Sequence, residues 1–100
     1  MEIQYVDLDN IPIKLRNNVD ELLRNFMKKI NSTEVKIHVK RFSREGRKSR
    51  FEIHLQAVID AQLFVAQSEE WDCYIAVKDT LTSIKTQHEK FKLVHAATAA

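Results

Sequence analysis

Strict alternation of apolar and polar residues along two segments of this chain predicts β-strands with one buried face. In segment 35–40 the odd positions are apolar and the even positions are basic or histidine, and segment 50–59 repeats the alternation. Shorter apolar runs at 3–6 and 61–67 predict two further strands. The only glycine, Gly46, lies between the two alternating segments, where it favours a hairpin turn.

Two other segments follow the helical period. The first begins near Pro12, which is tolerated in a first helical turn, and its apolar residues recur at helical spacing as far as Ile30. The second follows Ser68–Asp72, a stretch of capping residues and acids that is typical of a helix N-terminus. Its apolar stripe runs from Tyr74 to Phe91. The predicted order of elements is therefore β-α-β-β-β-α.

This order predicts an α+β fold, a two-layer sandwich in which a four-stranded sheet carries two helices on one face. The last three strands form an antiparallel meander, and the other face of the sheet stays open to solvent. We expect residues 1–93 to form a single domain. Residues 94–100 show no further pattern, and we expect them to form a flexible tail.

Composition narrows the class of protein. One hundred residues with 44% hydrophobic content suffice for one small core. Cys73 is the only cysteine, so no internal disulfide is possible and a reducing compartment is favoured. No apolar run approaches the roughly 20 residues that span a bilayer, and the acidic start of the chain argues against a signal peptide. We expect a soluble cytoplasmic protein.

Charge is concentrated in one part of the chain. Segment 36–50 carries seven Lys or Arg residues against the single acid Glu45, a net charge of +6, whereas the whole chain carries only +2. Such segregation favours binding of a polyanion. By strand parity the run divides between the open sheet face and the projecting turn. The first part is Lys36, Lys40 and Arg50, and the second is Arg44, Arg47 and Lys48.

The residues that could carry chemistry do not form a recognisable catalytic or metal site. His38 and His54 could face each other on adjacent strands, but zinc needs three or four ligands, and Cys73 and His88 belong to a helix on the other face. We expect no metal, two surface imidazoles available to RNA, and a packed His88. Cys73 at a helix start could have a lowered pKa, yet no histidine is near it in sequence, so a structural role is favoured.

Three aromatic residues lie near the basic run or at the start of the second helix. Phe51 has the parity of the core and should be buried. Phe42, at the end of a strand, could be buried or could stack on an exposed base. Trp71 could pack the start of the second helix onto the core or stack at the surface.

Three short motifs resemble those of a known family. Asp72–Asp79 is similar to an Asp-x-Tyr-x-Ala-Ile-Asp signature, with Val77 in place of Ile and Lys78 in place of the final Asp. Segments 15–19 and 35–39 are similar to its Leu-Arg-x-x-Val and Val-x-Ile-x-Val motifs. Over about residues 3–92 the chain resembles the ribosome hibernation promoting factor family, also called the S30EA or sigma-54 modulation family, in its short form.

The resemblance implies a double-stranded-RNA-binding-like sandwich, with Asp72 opening the last helix, Tyr74 packing under the sheet and Ala76 allowing close approach. It implies binding to ribosomal RNA of the small subunit in the channel of messenger and transfer RNA, where the protein inhibits translation as a hibernation factor. No chemistry, cofactor, membrane or small-molecule substrate is involved. The short form lacks the dimerising domain of the long form, so we expect a monomer or a weak edge-to-edge dimer.

Combining the basic run with the resemblance gives a set of twelve predicted RNA-binding residues. They are Lys36, His38, Lys40, Arg41, Arg44, Arg47, Lys48, Arg50, Lys78, Lys85, Lys90 and Lys92. The hairpin turn is more basic, and the last helix less basic, than in short family members. An alternative function is a protein-interaction regulator that acts without the ribosome, as the family's sigma-54 name implies. An enzyme is disfavoured, because no phosphate-binding glycine loop, zinc spacing or nucleophile–base pair is present.

Overall fold

A computed structural model describes residues 2–43 and 49–98 of the chain, with residues 95–98 described by their backbone. The order of elements is the predicted one and confirms the α+β fold. The elements are β1 Glu2–Val6, a short 3₁₀ turn Leu8–Asn10, α1 Ile13–Ile30, β2 Ser32–Phe42, β3 Arg50–Ile59, β4 Gln62–Glu70 and α2 Cys73–Thr98.

The four strands form one mixed sheet in the order β1-β2-β3-β4. β1 runs parallel to β2, with Ile3 opposite Val35, and α1 supplies the crossover that a parallel pair requires. The other two pairs are antiparallel, with Lys36 opposite Gln56 and Gln56 opposite Val65. The sheet therefore ends in β1 on one side and β4 on the other.

The core lies between one face of the sheet and the two helices. The buried apolar side chains of β2 and β3 have the predicted parity, and Phe64 and Ala66 continue this face onto β4, whereas Ser32, before a register shift in β2, is buried with the other parity. From α1 the face is covered by Val19, Leu23 and Met27, and from α2 by residues of its apolar stripe such as Ile84. Both helices thus cover one face of the sheet, as predicted, and the side chains of the other face reach the surface.

Local signals in the sequence explain where the helices begin and end. Asp72 caps α2, since its Oδ1 accepts a hydrogen bond of 3.0 Å from the backbone N–H of Ile75. Asn31 ends α1 in the left-handed conformation, which asparagine tolerates better than most residues. Ala76 is fully buried against the sheet, and Tyr74 packs against the core. The backbone of α2 continues helically to Thr98, and the flexible tail at 94–100 stays a prediction.

The hairpin between β3 and β4 has an unfavourable residue in its turn. Ile59 pairs with Gln62, so Asp60 and Ala61 are the two turn residues, and their φ angles are 52° and 61°. Two positive φ angles are typical of a type I′ turn, for which glycine is the favoured second residue. Ala61 adopts this conformation against the steric preference of its Cβ.

Ala61→Gly is therefore expected to raise the free energy of unfolding by about 0.5 to 1 kcal/mol. Glycine relieves the strain of the left-handed conformation, and the greater conformational freedom that it gives the unfolded chain offsets part of this gain. Urea denaturation of the two proteins measures this difference. Ala66→Gly, in the regular part of β4, is the matched control and is expected to destabilise the fold. A destabilising Ala61→Gly would contradict the assignment of strain to this turn.

Candidate nucleic-acid interface

Strand β2 places three of the predicted RNA-binding residues on the open face of the sheet. Lys36, His38 and Lys40 alternate with buried residues, so all three side chains project from the same face. Across the ladder, His38 lies opposite His54 and Lys40 opposite Glu52. The two imidazole centroids are 6.3 Å apart. Among the described residues, no group of three or more histidine, cysteine or acidic side chains could hold a metal ion.

Acidic side chains compensate much of the positive charge on this face. Arg50 pairs with Glu69 on β4. His54 Nε2 lies 2.7 Å from Glu52 Oε1, and His38 Nε2 lies 2.9 Å from Asp7 Oδ2. Lys36 and Lys40 form no ion pair with a described residue of this face. The open face is therefore one of mixed charge, which weakens its attraction for a polyanion.

Arg41 has the opposite parity and lies on the helix side of the sheet. Its guanidinium carbon lies 5.5 Å from the ring centroid of Phe51, and its Nε donates a hydrogen bond of 3.0 Å to Ser49 Oγ. Phe51 is buried, as predicted. Arg41 is thus separated from the β2 lysines by the thickness of the sheet. The predicted residues Arg44, Arg47 and Lys48 lie outside the described residues.

The predicted lysines of α2 divide between its two flanks. Lys78, Lys85 and Lys92 recur every seven residues, close to two helical turns, so they form one line about 10.5 Å apart. They line the grooves between α1 and α2. Lys90 lies three residues after Gln87, whose Nε2 donates to the Val65 carbonyl oxygen of β4 at 2.9 Å. Lys90 therefore lies on the flank towards β4, away from the line.

The packing of the helices adds a lysine that was absent from the predicted set. Lys29 of α1 lines both grooves together with Lys85. We call Lys29, Lys78, Lys85 and Lys92 the helix-layer lysines. The larger groove has a volume of about 480 Å³, and its acids are Asp60 and Glu89. None of the four lysines forms an ion pair with a described residue, so this surface is more positive than the open sheet face.

Only a weak sequence signal pointed to Lys29. It lies in the last turn of α1, where a cation also suits the helix dipole, so its position alone did not distinguish an RNA contact from helix stabilisation. The signal is the proximity of Lys29 to the apolar residues Phe26 and Ile30 that pack towards α2. Recognising it requires knowing which helix flank faces the neighbouring helix.

His88 and Cys73 have structural surroundings. His88 is 4% exposed, its Nε2 lies 3.0 Å from Asp60 Oδ2, and its ring meets Phe64 edge-on. This confirms the prediction of a packed histidine. Cys73 is 1% exposed, and burial, assisted by the negative charge of Asp72, raises the pKa of its thiol to about 11. The possibility that the helix start lowers the pKa of Cys73 was wrong, because desolvation dominates.

A polar cluster fixes β1 against α1. Tyr5 donates a hydrogen bond of 2.6 Å to Asp20 Oδ1, and Arg24 Nε donates one of 2.7 Å to Asp20 Oδ2. The two donors stabilise the ionised carboxylate and lower the pKa of Asp20, while burial and Asp20 raise the pKa of Tyr5. This cluster holds the edge strand in place and explains the half-buried Tyr5 without a catalytic role.

Within residues 2–43 and 49–98, none of the helices has the length and apolar character that crossing a membrane requires.

Comparisons with known proteins identify the fold. No family model and no curated protein matches the sequence. A ribosomal subunit interface protein from Coxiella burnetii is 21% identical with a TM-score of 0.68, over 93% of this chain and 99% of that one. The N-terminal domain of Protein Y from Thermus thermophilus is 18% identical with a TM-score of 0.58, over 90% and 94%. Neither name describes an enzyme. The chain therefore has the fold of ribosomal subunit interface proteins, which confirms the sequence resemblance at the level of the fold.

Proposed function

We propose that the protein is a translation inhibitor, or hibernation factor, that binds ribosomal RNA of the small subunit in the channel of messenger and transfer RNA. It acts in the cytoplasm without catalysing a reaction. The observation that carries the proposal is the similarity to a ribosomal subunit interface protein over nearly the whole of both chains. The helix-layer lysines, which form no ion pair with a described residue, supply the chemistry that such a ligand requires, since neutralised phosphates release counterions.

The contacts are proposed to come mainly from the helix layer. The three lysines of α2 extend over about 21 Å along the helix, and Lys29 of α1 lines the same two grooves as Lys85. Lys36 and Lys40 add a weaker contact on the open face, where nearby acids oppose phosphates. The hairpin cations Arg44, Arg47 and Lys48 are proposed as a further contact from their charge alone.

Pelleting with purified ribosomal subunits across a salt series tests this function. We expect the protein to pellet with the small subunit at low salt and to dissociate steeply as the salt concentration rises, because the contacts are phosphate contacts. A translation assay with the same preparation should show inhibition at concentrations that saturate pelleting. Binding to neither subunit at low salt, or binding that is insensitive to salt, would contradict the proposal.

The alternative is a regulator that binds another protein. The observation that favours it is β4, the last strand of the described sheet, which exposes the side chains of Leu63 and Val65. Such a strand is a template for strand addition. This function would require no ribosome, so the pelleting experiment separates the two possibilities.

A further inference from the structure

Two aromatic side chains are exposed at one end of the sheet. The chain contains eight aromatic residues, and six of them are buried or partly buried. The other two, Phe42 and Trp71, are 50% and 63% exposed. Neither ring has an aromatic or cation–π partner among the described residues. An aromatic ring exposed in this way retains a large unburied apolar surface.

The strand register places these two residues in one row. Phe42 of β2 pairs with Arg50 of β3, and Phe51 pairs with Glu70, the last residue of β4. Trp71 follows Glu70, so its position along β4 corresponds to that of Arg50 along β3. Since neighbouring strands are about 4.8 Å apart, the backbones of Phe42 and Trp71 lie about 10 Å apart with Arg50 between them.

The core does not require either ring. Phe51 already fills the core at this end of the sheet and carries Arg41 on its ring. α2 is capped by Asp72 and not by packing of Trp71. Trp71 therefore does not pack the start of α2 onto the core, because its side chain is largely exposed.

We infer that Phe42, Arg50 and Trp71 form a stacking platform for unpaired bases of single-stranded RNA. Flat apolar rings and a planar guanidinium are the groups on which splayed bases stack, whereas bases of a duplex are already stacked on one another. The inference adds a base-binding surface to the proposed phosphate contacts, and it rests on the proposed function in so far as the natural ligand is RNA.

Charges around the platform indicate how the strand would lie. On the open face, Lys40 precedes Phe42 on the β2 side, whereas Glu69 and Asp72 lie on the β4 side. Phosphates are attracted to the first side and repelled from the second. The RNA backbone is thus directed along β2, and the bases point across Arg50 towards Trp71.

Trp71 is the only tryptophan, so its fluorescence reports directly on the platform. The probes are single-stranded octamers of uridylate and adenylate, an RNA duplex of equal length and inorganic polyphosphate of equal charge. We expect saturable quenching by both octamers and little quenching by the duplex or the polyphosphate. Equal quenching by polyphosphate, or none by either octamer, would overturn the platform.

Variants provide the second measurement, in which the anisotropy of a labelled octamer gives the affinity. Phe42→Ala or Trp71→Ala is expected to weaken binding by about 5- to 150-fold per stacked base, and Phe42→Tyr should retain it. Leu63→Ala is the matched control, since Leu63 is a large apolar side chain, 61% exposed, on the sheet but remote from this row. An equal loss in Leu63→Ala would overturn the assignment.

Pelleting of the same variants with ribosomal subunits separates the platform from the proposed function. If neither the unaltered protein nor any variant binds the octamers, but the proteins still pellet with ribosomal subunits, only the platform is overturned. Octamer quenching by the unaltered protein, together with its failure to pellet, overturns only the ribosomal function.

Discussion

Replacing Lys78, Lys85 and Lys92 together with glutamine is expected to weaken binding to the small ribosomal subunit by about two orders of magnitude at about 0.1 M salt, because three phosphate contacts are lost. The log–log slope of affinity against salt should fall by about two to three. Glutamine keeps the helix propensity close to that of lysine, so α2 remains intact. Quantitative pelleting across the salt series gives both quantities.

The control removes the two lysine charges of the open face. Replacing Lys36 and Lys40 with glutamine, and leaving Arg50 in place, is expected to reduce affinity less per charge removed, since acids lie near both lysines. Circular dichroism of both variants checks that each one is folded. A larger loss in the open-face variant than in the α2 variant would place the principal RNA contact on the sheet and contradict our assignment to the helix layer.

The architecture was predictable because each local signal had one physical meaning. The alternation along β2 and β3 predicted which face of each strand is buried. Val35 and Ile53 are on that face, and both are buried. The capping acid at Asp72 fixed the start of α2. The end of α2 was harder to predict, since the apolar stripe fades after Phe91 while the helical backbone continues. Helix ends depend on weak local preferences that sequence patterns specify poorly.

The charge distribution of the interface was less predictable because it depends on residues far apart in sequence. The sequence shows Arg50 only as a positive charge. The register of β3 with β4 places Glu69 close enough to form an ion pair with it. Lys29 and Lys85 become neighbours only through the packing of α1 on α2. A run of like charges in a sequence therefore overestimates the field of a sheet, where acids on adjacent strands compensate it.

The pKa of Cys73 also depends on the tertiary fold and not on the local sequence alone. Its place at a helix start favours the thiolate through the helix dipole, but its burial favours the neutral thiol, and burial depends on the tertiary fold. The structure decides in favour of burial, since the thiol packs in the core with Ala76 and Val77. This reversal has a measurable consequence at high pH.

The free energy of unfolding is expected to fall by about 2 to 3 kcal/mol between about pH 9 and pH 11 because of Cys73, at 1.36 kcal/mol per pKa unit. Folding raises the pKa of this thiol from 9.0 to about 11. In that interval the unfolded chain loses the proton while the folded protein keeps it, so rising pH favours unfolding. The contribution is fully present below pH 9. Tyr5, whose pKa is also raised by burial, adds to the loss at the upper end.

Urea denaturation at intervals from pH 8 to pH 11 measures this dependence, and Cys73→Ala isolates the contribution of the thiol. The variant loses a small amount of core packing at every pH, but its stability should decline less between pH 9 and pH 11 because no thiol titrates. Tyr5→Phe is the second comparison, and it should change the profile only above about pH 10, where an unfolded tyrosine begins to ionise. Parallel profiles for Cys73→Ala and the unaltered protein would show that the Cys73 thiol ionises equally well in the folded and unfolded chains, and would contradict its placement in the core.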